Sequence, residues 1–400
     1  MQRNFAIPRS FPLGLREKRR NRMSRLGGVG IMLALTLSAC GSNAATQTTA
    51  SAMPFALTPV ASFDTPWAVA FLPGSGVPLL NVALVSEKDG RLWAVDLATG
   101  AKTAVAGVPA VHVAGQGGLG DVVPHPDFAA NRRLYLTYVE AGEGGTSGAV
   151  MGYGTLNMSD GAARLDNFKV IWRQSPKVSG NGHFSHRIAF GPDGLLYLTS
   201  GDRQKMEPAQ DMSGMLGKVL RLTDEGQPAP GNPWAADGGI AAQFWSIGHR
   251  NLLGLAFAPD GRLWESEMGP QGGDEVNLIL PGKNYGWPRA SNGSHYGGGE
   301  IPDHAPGDGF EAPKVWWNPS ISPGGLMIYS GDKWPAWKGD ALVPALSGEA
   351  LIRVDLDGDK ATKAEQWDLD TRVRAAKQGP DGVIYLLEDG GRLLRMTPAS

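Results

Sequence analysis

The sequence predicts an all-β protein, a six-bladed β-propeller of four-stranded blades, and three observations lead to it. First, 56 glycines and 29 prolines among 400 residues leave little room for long helices and demand frequent turns. Second, one turn phrase recurs: Gly191-Pro192-Asp193-Gly194-Leu195-Leu196-Tyr197, Ala258-Pro259-Asp260-Gly261-Arg262-Leu263-Trp264 and Gly379-Pro380-Asp381-Gly382-Val383-Ile384-Tyr385. Third, the units follow one another at about 45–75 residues, a spacing that suits sheets unable to bury their faces alone and therefore packed radially. A tandem pair of β-sandwiches would leave the repeated phrase unexplained.

In chain order, the first unit is Trp67-Ala68-Val69-Ala70-Phe71-Leu72-Pro73-Gly74 with Arg91-Leu92-Trp93-Ala94-Val95 beyond it. His125-Pro126-Asp127-Phe128 opens the second and reaches Leu134-Tyr135 after an insertion. The three full phrases supply the third, fourth and sixth. Gly331-Asp332-Lys333, leading to Asp340-Ala341-Leu342-Val343, supplies the fifth. In each, an apolar strand meets a turn in which Pro fixes φ and Gly supplies positive φ, and a second strand follows. Segments 175–187, 203–215, 228–246 and 265–325 are too long for hairpin loops, and long loops on a rigid scaffold are where function concentrates.

The N-terminus reads as an address. Arg19, Arg20, Arg22 and Arg25 precede an apolar run from Val29 to Leu37, too short to span a bilayer and suited to a signal-peptide core. The run ends at Leu37-Ser38-Ala39-Cys40, a bacterial lipobox pattern in which Cys40 is lipidated; cleavage as an ordinary signal peptide is the alternative. Met23 offers a second, more compact start. Residues 1–40 are thus expected to be a leader, 41–54 a flexible tether rich in Ser, Ala and Thr, and 55–400 the propeller. The expected location is the periplasm, or the periplasmic face of the outer membrane through a lipid anchor. Cys40 is the only cysteine, so no intrachain disulfide can form.

Eight of the 37 Lys/Arg residues fall in residues 1–40 against Glu17 alone, which leaves the rest of the chain at a net −9. A body that acidic is unsuited to a phosphate backbone, so no nucleic-acid partner is expected. The seven histidines form no His-Glu-x-x-His pattern, and there is no Gly-x-Ser-x-Gly elbow. Gly115-Gln116-Gly117-Gly118-Leu119-Gly120 reads as a turn between blades more readily than as a phosphate loop, because no helix pattern follows it.

Read together, the loops carry an ordered set of phrases. Gly115-Gln116-Gly117-Gly118-Leu119 comes first, then Gly182-His183-Phe184-Ser185-His186-Arg187, Ser200-Gly201-Asp202 and Leu216-Gly217-Lys218-Val219-Leu220-Arg221. Ser246-Ile247-Gly248-His249-Arg250-Asn251, Glu267-Met268-Gly269-Pro270, Gly273-Asp274-Glu275-Val276-Asn277 and Asn284-Tyr285-Gly286-Trp287-Pro288 follow. From about residue 60 to 397 the chain resembles the soluble quinoprotein glucose and aldose sugar dehydrogenases. Those are six-bladed propellers that oxidise aldoses with pyrroloquinoline quinone (PQQ) and Ca²⁺.

The resemblance implies roles by position. His183 matches the general base that takes the proton of the sugar C1 hydroxyl while hydride passes to the quinone C5, a task suited to imidazole. Asp202 matches the carboxylate that orients this imidazole. Arg250 and Asn251 match cofactor contacts, with Arg250 stabilising charge at the reactive carbonyl. Arg372 and Arg374, alternating on one strand face, match the clamp on the cofactor carboxylates. Gly269 and Pro270 match the carbonyl ligands of a catalytic Ca²⁺, and Glu275 with the Tyr285 carbonyl matches a second, structural Ca²⁺ site. Gln116 and Tyr296 match further contacts in the cleft. Trp316 and Trp317 are candidates for a sugar-site floor or for core. A small aldose substrate and a diffusible electron acceptor are the implied partners.

Three positions depart from the pattern. Met268 replaces Gln or His, Ser347 replaces a lysine that contacts the cofactor, and Gly182 replaces the Asp or Asn before the base. Two lost charged hydrogen bonds would weaken cofactor binding by roughly two to four decades unless Lys218 or Lys377 compensates. The same phrases leave two other readings open: a non-catalytic envelope propeller that binds glycans or proteins, and a calcium-dependent lactonase.

Overall fold

The computed structural model describes residues 53–73, 81–159 and 161–399. The leader with Cys40, and the tether before Met53, lie outside them. Among the described residues the chain is all β, with one four-residue α-helix, Phe128–Asn131, at the insertion in the second unit.

The recurring phrase builds one local device. Gly191 N–H donates to the Leu195 carbonyl (2.8 Å) and Gly194 N–H to that of Gly191 (2.9 Å). The same pair recurs at Ala258 and Gly261, and at Gly379 and Gly382. The last glycine of each turn has φ of +76°, +87° and +76°, where a side chain would be strained. Each aspartate accepts from the N–H two residues on: Asp193 from Leu195, Asp260 from Arg262, Asp381 from Val383. Pro, Asp and Gly thus each do one job in the turn.

Antiparallel strands follow in chain order. One four-stranded sheet is Ser185–Phe190, Leu196–Ser200, Lys218–Leu222 and Phe244–Ile247. The next is Leu252–Phe257, Leu263–Glu267, Asp274–Ile279 and Val315–Trp317, and a third is Met327–Ile328, Ala341–Pro344, Ala350–Asp357 and Lys360–Asp368. In the fourth, Val373–Gln378, Ile384–Glu388 and Arg392–Pro398 are completed by Phe55–Ser62, so the first described strand pairs with the last.

The expected six separate sheets meet this topology in part, because the remaining strands form a two-stranded ribbon, Gln271–Gly272 with Gly293–Ser294, and one eight-stranded sheet. It runs Pro66–Phe71 to Lys102–Ala106, then Ala162–Arg173 back to Leu119–Pro124. The join is a short parallel pairing of two edge strands, Val105 with Ala163 and Ala106 with Arg164. Ala162–Arg173 has twelve residues, longer than the hairpin repeat suggests, and the neighbour pairs with its edge only at Ala163 and Arg164. The segment 265–325, expected as a loop, contains two strands of the second sheet named above.

Apolar side chains pack between successive sheets: Trp264, Val276 and Leu326 meet Val343, Ile352 and Val354. The strand that opens a four-strand run is bulged near its start at Pro66/Ala68, Leu119/Val122, Ser185/Ile188, Leu252/Gly254 and Val373/Ala375. Bulges re-aim side chains at the ends of sheets. Of the eleven described non-glycine residues with positive φ, six lie between His183 and Met206. Backbone strain of this kind costs about 1–3 kcal/mol per residue and collects at functional sites, which directs attention to these two loops.

Candidate active site

His183 and Asp202 come together at the end of the Ser185–Phe190 and Leu196–Ser200 hairpin. His183 Nδ1 lies 2.7 Å from Asp202 Oδ1, with the aspartate side chain fully buried. The carboxylate also accepts from Gln204 N–H (2.8 Å) and from Trp287 Nε1–H (2.8 Å), which fixes its plane. An ionised carboxylate on Nδ1 selects the tautomer whose free lone pair is on Nε2. Nε2 has no protein partner among the described residues. Gln116 Oε1 accepts the His183 backbone N–H (2.7 Å), so the predicted cleft glutamine holds the His183 loop. A Cβ on Gly201 would lie 2.1 Å from the His183 carbonyl oxygen, so the turn can approach only as glycine.

Behind the dyad is Arg203, which the sequence reading missed. Its buried guanidinium donates to the carbonyls of Gly182 (2.9 Å), Ser147 (2.6 Å) and Gly180, and lies 3.7 Å from the Phe184 ring centroid. It ties the glycine-rich loop of His183 to the sheet behind it.

A cleft of about 270 Å³ opens next to this loop, walled by Trp67, Lys88, Gln116, Asn251, Arg372 and Arg374. The two predicted arginines do converge: Arg372 Nε donates to Asp389 Oδ2 (3.0 Å) and Arg374 Nε to Asp389 Oδ1 (3.0 Å). Burial works to raise the pKa of Asp389, but Arg374 and Arg372 outweigh it and hold the carboxyl below its usual range.

Arg250 lines a second, smaller cavity beside the Gly269 turn, with Glu267, Glu275 and Trp287. Its Nη1 donates to the carbonyls of Met268 (2.8 Å) and Gly269, and Nη2 reaches the Tyr296 hydroxyl at 3.5 Å. The carbonyl expected to hold the catalytic Ca²⁺ therefore already faces positive charge. Its Nε is buried without a partner. Asn251 Oδ1 accepts from Ser185 Oγ (3.3 Å), which places the predicted Arg250-Asn251 pair on the two sides of one wall.

Below Arg250 lies a buried acidic cluster. Glu265 pairs with Asn277 and Glu267 with Glu275 across adjacent strands, so all four side chains share one face. Asn277 Nδ2 donates to Glu265 (3.2 Å), Glu275 (3.3 Å) and Glu267 (3.4 Å). His249 Nδ1 is 3.1 Å from Glu267 Oε1, and its ring stacks on Tyr285 at 4.6 Å. Among the described residues no lysine or arginine side chain pairs with these three carboxylates. Burial, then the charge of Glu267, pushes Glu265 and Glu275 well above the usual carboxylate range. Glu265 Oε1 and Asn277 Oδ1 are buried without hydrogen-bond partners. Oxygen donors with surplus negative charge and unused lone pairs suit a hard divalent cation. Of this set only Glu275, with Tyr285 beneath it, was expected. The Glu-x-Glu and Glu-x-Asn alternation of residues 265–267 and 275–277 was the available signal.

Other candidates fall elsewhere. Trp317 is buried core, whereas Trp316 is exposed. Lys218 donates to the carbonyls of Pro208 (2.9 Å), Ala209 (3.0 Å) and Leu216 (2.7 Å), a structural role. Lys377 lines a separate small cavity with Asp121 and Arg187. Neither lysine replaces the charge missing at Ser347, whose hydroxyl bonds that of Ser322 (2.8 Å). Gly182 is covered: a Cβ there would lie 2.7 Å from the amide of Gln204.

A strained loop thus presents an Asp-backed histidine beside a cationic cleft on an all-β scaffold. Residues 63–395 match the Glucose / Sorbosone dehydrogenase family, and the chain belongs to it. It is 39% identical to the aldose sugar dehydrogenase YliI of Escherichia coli (strain K12) over 343 residues, 84% of this chain and 90% of that protein. A crystal structure of a glucose dehydrogenase, 43% identical, superposes with a TM-score of 0.80 over 86% of this chain and all of the other. The PQQ-bound aldose sugar dehydrogenase of Streptomyces coelicolor, 30% identical, gives a TM-score of 0.70 over 86% and 98% of the two chains. The chain is therefore an enzyme of the sugar dehydrogenase class.

Proposed function

We propose that the chain is a six-bladed propeller, the eight-stranded sheet counting as two blades, that oxidises an aldose at C1 to the lactone with PQQ and Ca²⁺. The observation that carries this reading is the His183–Asp202 pair held next to a cleft rich in fixed cations. Those cations fit a cofactor bearing carboxylates, with Arg372 and Arg374 holding them and Gln116 and Asn251 completing the walls. Gly269 and Pro270 are the carbonyls the resemblance gives to a catalytic Ca²⁺, and the Gly269 oxygen would have to exchange its hydrogen bond from Arg250 for the ion. The unpartnered oxygens of Glu265 and Asn277 fit a second Ca²⁺ that Glu275, Glu267 and the Tyr285 carbonyl would share.

When bound, PQQ supplies a two-electron acceptor for the hydrogen leaving sugar C1, and Ca²⁺ supplies Lewis acidity beside it. The chain's own residues manage the proton. Nε2 of His183 takes it from the C1 hydroxyl, and Asp202 stabilises the imidazolium that results. Trp287 and Gln204 keep the carboxylate from rotating away. Arg250 fixes a positive charge at the Gly269 turn without reorganising during the reaction. A diffusible acceptor reoxidises the enzyme, and the leader pattern ending at Cys40 supports export with a lipid anchor.

The test is a titration of metal-free, cofactor-free protein with PQQ and Ca²⁺, followed by absorbance, then addition of aldoses with a redox dye. Saturable binding and dye reduction that His183→Ala removes are expected. Protein that stays inert toward a broad sugar panel with saturating PQQ and Ca²⁺ would refute the reading.

A further inference from the structure

Three cations wall the cleft, Lys88, Arg372 and Arg374, and only Asp389 answers them. Both of its oxygens are used by the arginines, one each, which leaves Lys88 without a carboxylate partner among the described residues. The adjacent Glu87 is turned away and engaged by Asp64 N–H (2.5 Å), Trp93 Nε1–H (2.6 Å) and Arg91 (3.1 Å). Lys88 Nζ donates one bond, to the Gly115 carbonyl (2.8 Å), and has two further N–H groups to offer. Burial, followed by the charge of Arg374, lowers the pKa of this ammonium. Two unanswered positive charges in one cleft are a site for a polyanion.

The backbone aims this side chain. Lys88 N–H donates to the Thr65 carbonyl (2.9 Å), and its own carbonyl accepts from Leu119 N–H (3.1 Å). A Cβ on Gly118 would lie 2.0 Å from the Lys88 oxygen, so the loop that carries Gln116 packs directly on it. The residue sits in Ser86-Glu87-Lys88-Asp89-Gly90, which reads in sequence only as a hairpin turn.

We propose that Lys88 is a third cation of the carboxylate clamp, binding a PQQ carboxylate directly and offsetting the charge that Ser347 lacks. This rests on the PQQ reading above. The test measures the dissociation constants of PQQ and of its uncharged trimethyl ester, with Ca²⁺ present, by absorbance titration of wild type, Lys88→Met and Lys88→Arg. Thermal unfolding of each variant establishes that it is folded. Lys88→Met should weaken PQQ binding by about 10- to 100-fold, the worth of one charged hydrogen bond, while Lys88→Arg keeps most of the affinity. The ester should bind wild type and Lys88→Met within about threefold of one another.

Equal PQQ affinity in wild type and Lys88→Met would overturn the proposal and leave Lys88 as a cap on Gly115. So would equal losses for acid and ester, which would mark a structural role. Wild-type protein that fails to bind PQQ overturns the cofactor reading itself, an outcome distinct from both.

Discussion

Asp202→Asn is the substitution that separates orientation of the base from every other function of the site. Three donors converge on this carboxylate: His183 Nδ1–H at 2.7 Å, Gln204 N–H at 2.8 Å and Trp287 Nε1–H at 2.8 Å. A carboxylate accepts them all, whereas an amide must turn its NH₂ toward either the indole or the imidazole. Facing the indole it meets another donor, a buried mismatch worth about 1–3 kcal/mol. Facing the imidazole it donates to Nδ1 and moves the proton to Nε2, which removes the lone pair that accepts from substrate. The charge that stabilises the imidazolium is lost in either case. Positioned general-base catalysis contributes about 10²–10⁴-fold, so kcat in a dye-linked aldose assay with saturating PQQ and Ca²⁺ should fall by that factor. PQQ affinity should stay within about threefold, because Asp202 is fully buried behind His183 and is not part of the cleft wall. A variant with kcat within threefold of wild type, or one whose loss follows weaker PQQ binding, would refute this assignment.

Two other outcomes follow from buried titratable groups. Burial, with Arg187 and Arg203 nearby, pushes the pKa of His186 down to about 3, whereas an unfolded histidine titrates near 6.5. The unfolded chain therefore binds a proton between those values that the folded chain does not, so stability is complete above about pH 6.5 and falls toward pH 3. At pH 5 the loss is about 2 kcal/mol, and His186→Gln should lose that much less than wild type between pH 7 and 5 in urea unfolding. Equal losses in the two proteins would contradict this. In the acidic cluster, Ca²⁺ at a hundredfold excess over its Kd should stabilise wild type by about 2.7 kcal/mol, read as a higher melting temperature that chelator reverses. Glu265→Gln should be the more stable protein without Ca²⁺, because one buried repulsion is gone, and should gain less from the ion. A wild-type melting temperature indifferent to Ca²⁺ would refute the site.

Much of this architecture could be read from turns. The Pro-Asp-Gly phrases were legible because each of the three residues meets a separate backbone requirement. The strands Asp274–Ile279 and Val315–Trp317 were not, since the first is buried on both faces and one of them carries Glu275 and Asn277, so no apolar alternation marks it. The join at Val105 and Ala163 was hidden because edge pairing leaves no mark on a hairpin repeat. Within the candidate site, His183, Asp202, Arg250 and the Arg372–Arg374 pair could be singled out in sequence because their phrases are local. Lys88, Arg203 and Gln204 were missed because their roles depend on loops distant in the chain: Lys88 meets Gly115, Arg203 meets Ser147, and Gln204 covers Gly182. The departures at Gly182 and Ser347 look like losses in sequence, but the structure sets Gln204 beside the first and a cleft with Lys88 near the second.

The central claim is that His183 removes the sugar proton in a protein loaded with PQQ and Ca²⁺. A single-turnover experiment tests it most directly: stoichiometric PQQ and excess Ca²⁺ are bound first, excess aldose is mixed in without an acceptor, and the absorbance of the quinone is followed. Wild type should reduce its cofactor in one exponential phase, and His183→Ala, binding PQQ with unchanged affinity, should be slower by about 10²–10⁴-fold. Equal reduction rates in the two proteins, or a wild-type cofactor that aldoses leave oxidised, would contradict the account.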